Sequence, residues 1–317
     1  MKRKPFKWFG VPSLVLAILL LAIEGFSGPV SAASTVKAAP MPPIELPEAE
    51  RTLNDTDASL KAKEKRAVTG DDFYKGLFER PFTSNEMAYL EDVNIRVVSF
   101  TKDDIYYYFT IELHGVDPEA KKLTATYGIE FDRTKTGQGD FLVWVNDPKK
   151  EWSMEGVMAF SDAEKTVGGP TLMWADKEYD KPGYEKEERL EGERVAYARI
   201  DPKDETIVQL AISKALLDIP KEFLWGAWAD KGWRDPMRFD YNDHILEPEA
   251  GSPIKTSKYY PLKGLANLDN TCRAPEGFTT KTAIRGMCDN FLSCKTVTTC
   301  TKPGAAAPIC TTKVVCT

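Results

Sequence analysis

Three features of this sequence predict a mostly β chain, folded as a two-sheet antiparallel β-sandwich with a small disulfide-stapled C-terminal hairpin. Apolar and polar residues alternate with period two in seven separate runs. Turn-forming residues punctuate those runs, and all six cysteines fall within the last 46 residues.

The alternation is clearest over 104–113. Ile105, Tyr107, Phe109, Ile111 and Leu113 share one face there, and Tyr106, Tyr108, Thr110 and Glu112 share the other. Period-two patterning rich in aromatic and β-branched residues marks a half-buried strand. Similar runs cover 93–100, 123–131, 141–146, 195–200, 206–213 and 223–230, separated by Gly115, the Gly137/Gly139 pair, Pro202 and Pro220. The one helical candidate among the strands is a short turn over 213–217. Seven strands with so little helix pack as two sheets. No repeat of 20 to 50 residues is present, which weighs against a propeller or solenoid.

The chain opens with Lys2, Arg3, Lys4 and Lys7, an apolar run over 14–23 and small residues at Val30-Ser31-Ala32-Ala33. This is the pattern of a secretory signal peptide, expected over 1–32. The apolar run is about ten residues, half of the roughly twenty that span a bilayer, and no later stretch reaches that length. Without residues 1–32 the formal charge falls from −6 to −9, because four basic residues and Glu24 leave together. An acidic chain with no Lys/Arg stripe is a poor partner for nucleic acid. The expected place is extracellular or in the cell envelope. Residues 33–70, rich in Ala, Pro, Glu and Lys, read as a disordered tether with a frayed helix around 58–66. The sandwich is expected over 71–250, a connector over 251–271, and a Cys-rich tail over 272–317.

The tail permits a sharper expectation. The segments 295–300 and 310–315 are rich in Thr and Val and flank Pro303, Gly304 and Pro308. In an antiparallel hairpin, opposed residue numbers have a constant sum. Cys294 with Cys316 and Cys300 with Cys310 share one sum, so one register opposes both pairs at the separation a disulfide needs. Cys272 with Cys288 is left as the third bridge. A zinc site would call for closer pairs of ligands, and an exported chain favours bridges.

Two acidic patterns are candidate cation sites. In 132–140, Asp132, Thr134, Thr136, Gln138 and Asp140 occupy the oxygen-ligand positions of a calcium loop, with Gly137 at the sixth. Position 12 is Val143 instead of a bidentate Glu, so the ion expected is weakly held, and a plain hairpin loop fits the same residues. No other cofactor is expected. The second pattern runs through Asp230, Asp235, Asp240 and Asp243, interleaved with Trp233, Phe239 and Tyr241. It suits sugar hydroxyls or calcium, and equally the capping of turns.

Six of the seven tryptophans lie between Trp144 and Trp233. Trp225 and Trp228 fall on opposite faces of one strand, so one of them is expected nearer solvent. Indoles beside carboxylates suit sugar rings, which makes Trp225, Trp228, Trp233, Asp240 and Asp243 the candidate ligand residues. Edge packing of a large sheet accounts for the same tryptophans.

The stretch 94–147 carries Asp103-Asp104, the Gly115-Val116-Asp117 turn and the strand Gly128-Ile129-Glu130-Phe131-Asp132. In this it resembles the first half of DOMON-like and family 9 carbohydrate-binding-module sandwiches, over about 170 residues. The resemblance implies a sugar-binding or, in some DOMON branches, haem-binding domain, although the two histidines, His114 and His244, make no clear haem-ligand pair. The whole chain also resembles a group of exported bacterial proteins with the same Cys-containing end.

Catalysis has little support. No Gly-x-Ser-x-Gly elbow is present. Glu112 and Glu130, on the outward phase of successive strands, are the one carboxylate pair a glycosidase could use. The expected function is therefore a non-catalytic module that binds a glycan or another envelope protein. A structural envelope or matrix component is the alternative.

Overall fold

The computed structural model describes residues 38–63, 71–72, 75–83, 88–165, 167, 183–238, 267–291, 294–301 and 309–316. Fifteen strands occur among them. They are β1 (Arg51–Asn54), β2 (Glu79–Arg80), β3 (Ile95–Lys102), β4 (Tyr106–Leu113), β5 (Thr126–Asp132), β6 (Phe141–Asn146), β7 (Val157–Ser161), β8 (Lys186–Glu188), β9 (Ala196–Ile200), β10 (Ile207–Ser213), β11 (Phe223–Asp230), β12 (Leu268–Asn270), β13 (Ala274–Glu276), β14 (Cys294–Thr301) and β15 (Ile309–Cys316). One sheet has the order β1-β3-β4-β10-β9. The other has the order β2-β12-β11-β5-β6-β7-β8, with β13 also on β11, while β14 and β15 pair with each other. All these strand pairs are antiparallel.

The main core forms between the inner faces of the two sheets. Tyr107, Phe109, Ile111 and Leu113 of β4 meet Ile129 and Phe131 of β5 and Trp225 and Ala227 of β11. Trp225 stacks on Phe100 at 5.5 Å and meets the edge of Phe109 at 5.2 Å. The alternation of 104–113 is realised, with Tyr106 and Tyr108 on the other face in a separate cluster. Ile105 stands outside both, exposed in the turn before β4.

Three expectations change. Residues 51–54 of the expected tether form β1, paired with β3, and bury Leu53. An edge strand held by backbone hydrogen bonds needs few apolar side chains, so composition does not reveal it. The five-residue helix Ser59–Lys63 falls within the expected 58–66. The boundary between connector and tail runs through the sandwich, since β12 and β13 both pair along β11. In the 213–217 segment Ser213 ends β10 and a run of turns follows; Asp218 and Ile219 take positive φ of 62° and 54° as the chain reverses into Pro220. Five residues are too few to nucleate a helix against that reversal.

Cys272 and Cys288, 16 residues apart, are disulfide-bonded, and Cys288 packs into the main core. The β14–β15 hairpin has the expected register, with Cys294 opposite Cys316 and Cys300 opposite Cys310. No helix among the described residues is long and apolar enough to cross a membrane. The expected signal peptide over 1–32, Trp174, Asp240 and Asp243 lie outside the described residues.

A candidate metal centre

Two of the three tryptophans singled out for sugar stacking are packed inside. Trp225 is fully buried in the main core. Trp228 does face the other way, but a second cluster of Phe78, Leu142, Trp144, Tyr184 and Leu268 covers it, so neither indole is near solvent. Its indole N–H donates to Glu130 Oε2 at 3.1 Å. Trp233 is half-buried at the rim of that cluster, in a turn that Asp230 closes by accepting the backbone N–H groups of Gly232, Trp233 and Arg234. Asp235 likewise accepts the N–H of Met237, so the described members of that acidic pattern cap turns.

The loop over 132–140 folds around its own carboxylates. Asp132 accepts Thr134 Oγ1 at 2.9 Å, Thr136 N at 3.2 Å and Gly137 N at 2.7 Å. Asp140 accepts the N–H groups of Arg133 and Thr134 and the Arg133 Nε at 2.7 Å. Gly137, at a φ of +84°, makes the reversal. Protein donors already surround both carboxylates: backbone N–H groups at each, with a hydroxyl at Asp132 and a guanidinium at Asp140. Thr134 and Thr136 hydroxyls lie 3.0 Å apart.

The glycosidase pair does not form. Glu112 is in β4 of one sheet, beside Arg96, and Glu130 is in β5 of the other. Glu130 is buried, accepting Tyr184 Oη at 2.6 Å and Arg273 Nη2 at 3.0 Å. His114 lies 4.0 Å from Asp57 at a partly exposed turn.

A different carboxylate cluster stands out. Asp55 follows β1, Glu79 lies in β2 and Asp269 lies in β12, and their nearest oxygens are all within 4.8 Å of one another. Glu79 and Asp269 are directly opposed antiparallel partners, an arrangement in which like charges repel. Asp55 comes from the edge strand of the other sheet, so the cluster joins the two layers. Glu79 and Asp269 are fully buried. Asp269 Oδ2 accepts Ile95 N at 2.7 Å, Glu79 and Asp269 share a side-chain hydrogen bond, and Asp55 Oδ2 is buried with no hydrogen-bond partner among the described residues. Neither Asp55 nor Asp269 makes an ion pair with a basic side chain among the described residues. The nearby Arg80 is engaged by Asp71, at 2.8 Å.

Burial pushes the Asp55 carboxyl up to about 8. Burial, followed by the neighbouring acidic charges, pushes Glu79 and Asp269 well above the usual carboxylate range. A protein interior tolerates such a cluster in two ways: it keeps the protons, or it supplies a cation. The spacing fits the second. Calcium binds oxygen at about 2.4 Å, so oxygens on opposite sides of one ion are about 4.8 Å apart. The donors are all oxygen, which favours a hard cation over zinc or copper. Nothing in the sequence advertises this centre, because its members are spread over more than 200 positions and follow no ligand spacing.

The chain matches no family model, no curated protein and no solved structure in comparisons with all three.

Proposed function

We propose that this chain is an exported, non-catalytic interaction module of the cell envelope or extracellular matrix, its two sheets tied together by calcium at Asp55, Glu79 and Asp269. The single observation that supports the calcium tie is the convergence of three carboxylates, in which a buried oxygen of Asp55 has no hydrogen-bond partner among the described residues. Removing even one ion from water costs several kcal/mol, and repulsion adds to that. A divalent cation offsets both terms and locks β1 to the β2–β12 edge. The burial of Trp225 and Trp228 weighs against a sugar platform built on them. A glycan reading keeps one observation, the half-buried Trp233 at the sheet rim, and a glycan array on Trp233→Ala against the parent chain tests it.

The calcium tie is tested by melting the mature chain in millimolar calcium and in chelator. A ligand at 100 times its dissociation constant stabilises the fold by about 2.7 kcal/mol, so the two curves are expected to separate by several degrees. Superimposable curves would remove the ion from the proposal.

A further inference from the structure

The outer face of the five-stranded sheet carries a trough of tyrosines. The cross-strand register sets Tyr108 of β4, Ala211 of β10 and Tyr197 of β9 in one row. The small Ala211 is the floor between two aromatic walls, and Tyr106 extends the wall along β4. Trp152, at the edge of the same cluster, lies under the guanidinium of Arg199 at 4.5 Å. Its indole N–H is buried and has no acceptor among the described residues.

The trough is filled by the chain's own proline-rich segment, with Pro40, Pro42, Pro43 and Pro47. Tyr106 Oη donates to the carbonyls of Pro40 at 3.0 Å and Met41 at 2.9 Å, and Tyr197 Oη donates to Pro40 at 3.1 Å. Leu46 packs at the edge. Met41 and Ile44, two of the three large apolar side chains of the strap, are 83% and 90% exposed. The trough therefore grips this segment by main-chain carbonyls, with Leu46 as its one large side-chain contact. That is how aromatic grooves hold extended proline-rich peptides: proline has no N–H, its carbonyls point outward, and the extended form is set in advance. Carbonyl recognition is not tied to one sequence.

We propose that this trough is a docking surface for an extended proline-rich segment of an envelope partner, and that residues 38–47 occupy it in cis as a strap. The inference rests on the interaction-module part of the function proposed above and is independent of the calcium centre. A tethered strap competes at high effective concentration, so free peptide gains access only when the strap is weakened.

The test uses the full mature chain and a fluorescent peptide copying residues 37–48. Replacing Pro40, Pro42 and Pro43 by Gly in the chain loosens the strap without shortening it. Fluorescence anisotropy is expected to show this variant binding the peptide about tenfold tighter than the parent. Adding Tyr106→Phe and Tyr197→Phe to the variant is expected to abolish that gain. If the glycine variant keeps its near-ultraviolet circular dichroism yet binds no tighter than the parent, the docking proposal is overturned. Self-association of the variant that the peptide disperses would also overturn it, in favour of strap exchange between copies. No step of this readout uses calcium, so its failure is separate from failure of the metal centre.

Discussion

Two clusters of buried charge sit in this sandwich, and they are solved differently. On the outer face of the large sheet, Glu130 receives Tyr184 Oη, Trp228 Nε1 and Arg273 Nη2, all within 3.1 Å. Arg273 comes from the residue after Cys272, and its other nitrogen donates to the Gly137 carbonyl at 2.9 Å. Even Gly139 serves this cluster, since a Cβ there would come within 2.1 Å of both Tyr184 Oη and Glu130 Oε1. The chain has built the counter-charge into the fold. At the Asp55–Glu79–Asp269 centre, acidic oxygens converge from three strands or their ends, and neither Asp55 nor Asp269 meets a basic side chain among the described residues. The difference teaches how to tell a structural carboxylate from a ligand-seeking one: burial is common to both, and the direction of the surrounding donors separates them.

The sharpest way to break the comparison is to remove the internal cation. Arg273→Met leaves Glu130 buried without its charge partner, and the expected loss is about 3–5 kcal/mol in urea unfolding. Combining it with Glu130→Gln is expected to recover most of that loss, because the orphaned charge disappears. If the single and double variants are equally unstable, the guanidinium acts through packing alone. Slightly smaller is the effect of the bridge beside it. Cys272→Ala with Cys288→Ala opens a loop for which the chain-entropy model gives about 3 kcal/mol. Since Cys288 lies in the main core, the variant is also expected to lose chemical-shift dispersion around Phe291.

The sandwich was legible because its long strands alternate, and alternation reports which face meets the core. Residues 141–146 and 223–230 coincide with β6 and β11. What alternation does not report is whether the opposite face meets water. The outer face of β11 is covered by Tyr184, Phe78 and Leu268 from distant segments, so Trp228 is buried where a half-solvated sheet would expose it. Short strands were invisible for a related reason. β2, β12 and β13 have two or three residues each, too few for a period, yet two of them carry Glu79 and Asp269. The hairpin register was legible from cysteine numbering alone, because in an antiparallel pair arithmetic and geometry are the same constraint. Peptide mapping under non-reducing conditions is expected to return Cys294–Cys316 and Cys300–Cys310. A peptide joining Cys294 to Cys300 would overturn that pairing.

At the metal centre the comparison predicts effects whose sign depends on conditions. In calcium, Asp269→Asn is expected to lose the ion's contribution, about 2–3 kcal/mol. In chelator the same substitution removes repulsion and is expected to leave the fold as stable as the parent or more so. The pH dependence has a definite sign as well. A carboxyl whose folded pKa is raised stays protonated in the fold while the unfolded chain ionises, so its stabilisation is present below the unfolded value and is lost as pH rises through the folded one. For Asp55 that window runs from 3.8 to about 8. Stability in chelator is therefore expected to fall across that range, and calcium, which favours the charged form, is expected to flatten the fall. An identical slope with and without calcium would leave the centre as a set of shared protons.

The smallest expected effect is the one that separates the calcium-loop spacing from the centre the fold builds. Asp140→Asn weakens the contact with Arg133, a partly exposed pair 2.7 Å apart, for which a cost of about 1 kcal/mol or less is expected. It is expected to leave the difference between calcium and chelator curves unchanged. The donors around Asp140 are two backbone N–H groups and a guanidinium, and those around Asp132 are two N–H groups and a hydroxyl. An ion entering there would have to displace them and face Arg133 at close range. At Asp55, Glu79 and Asp269 carboxylate oxygens already lie within 4.8 Å of one another, with no guanidinium between them to displace. Asp140→Asn and Asp269→Asn, melted side by side with and without calcium, thus assign the ion to one place. A calcium shift lost in Asp140→Asn and kept in Asp269→Asn would return it to the loop.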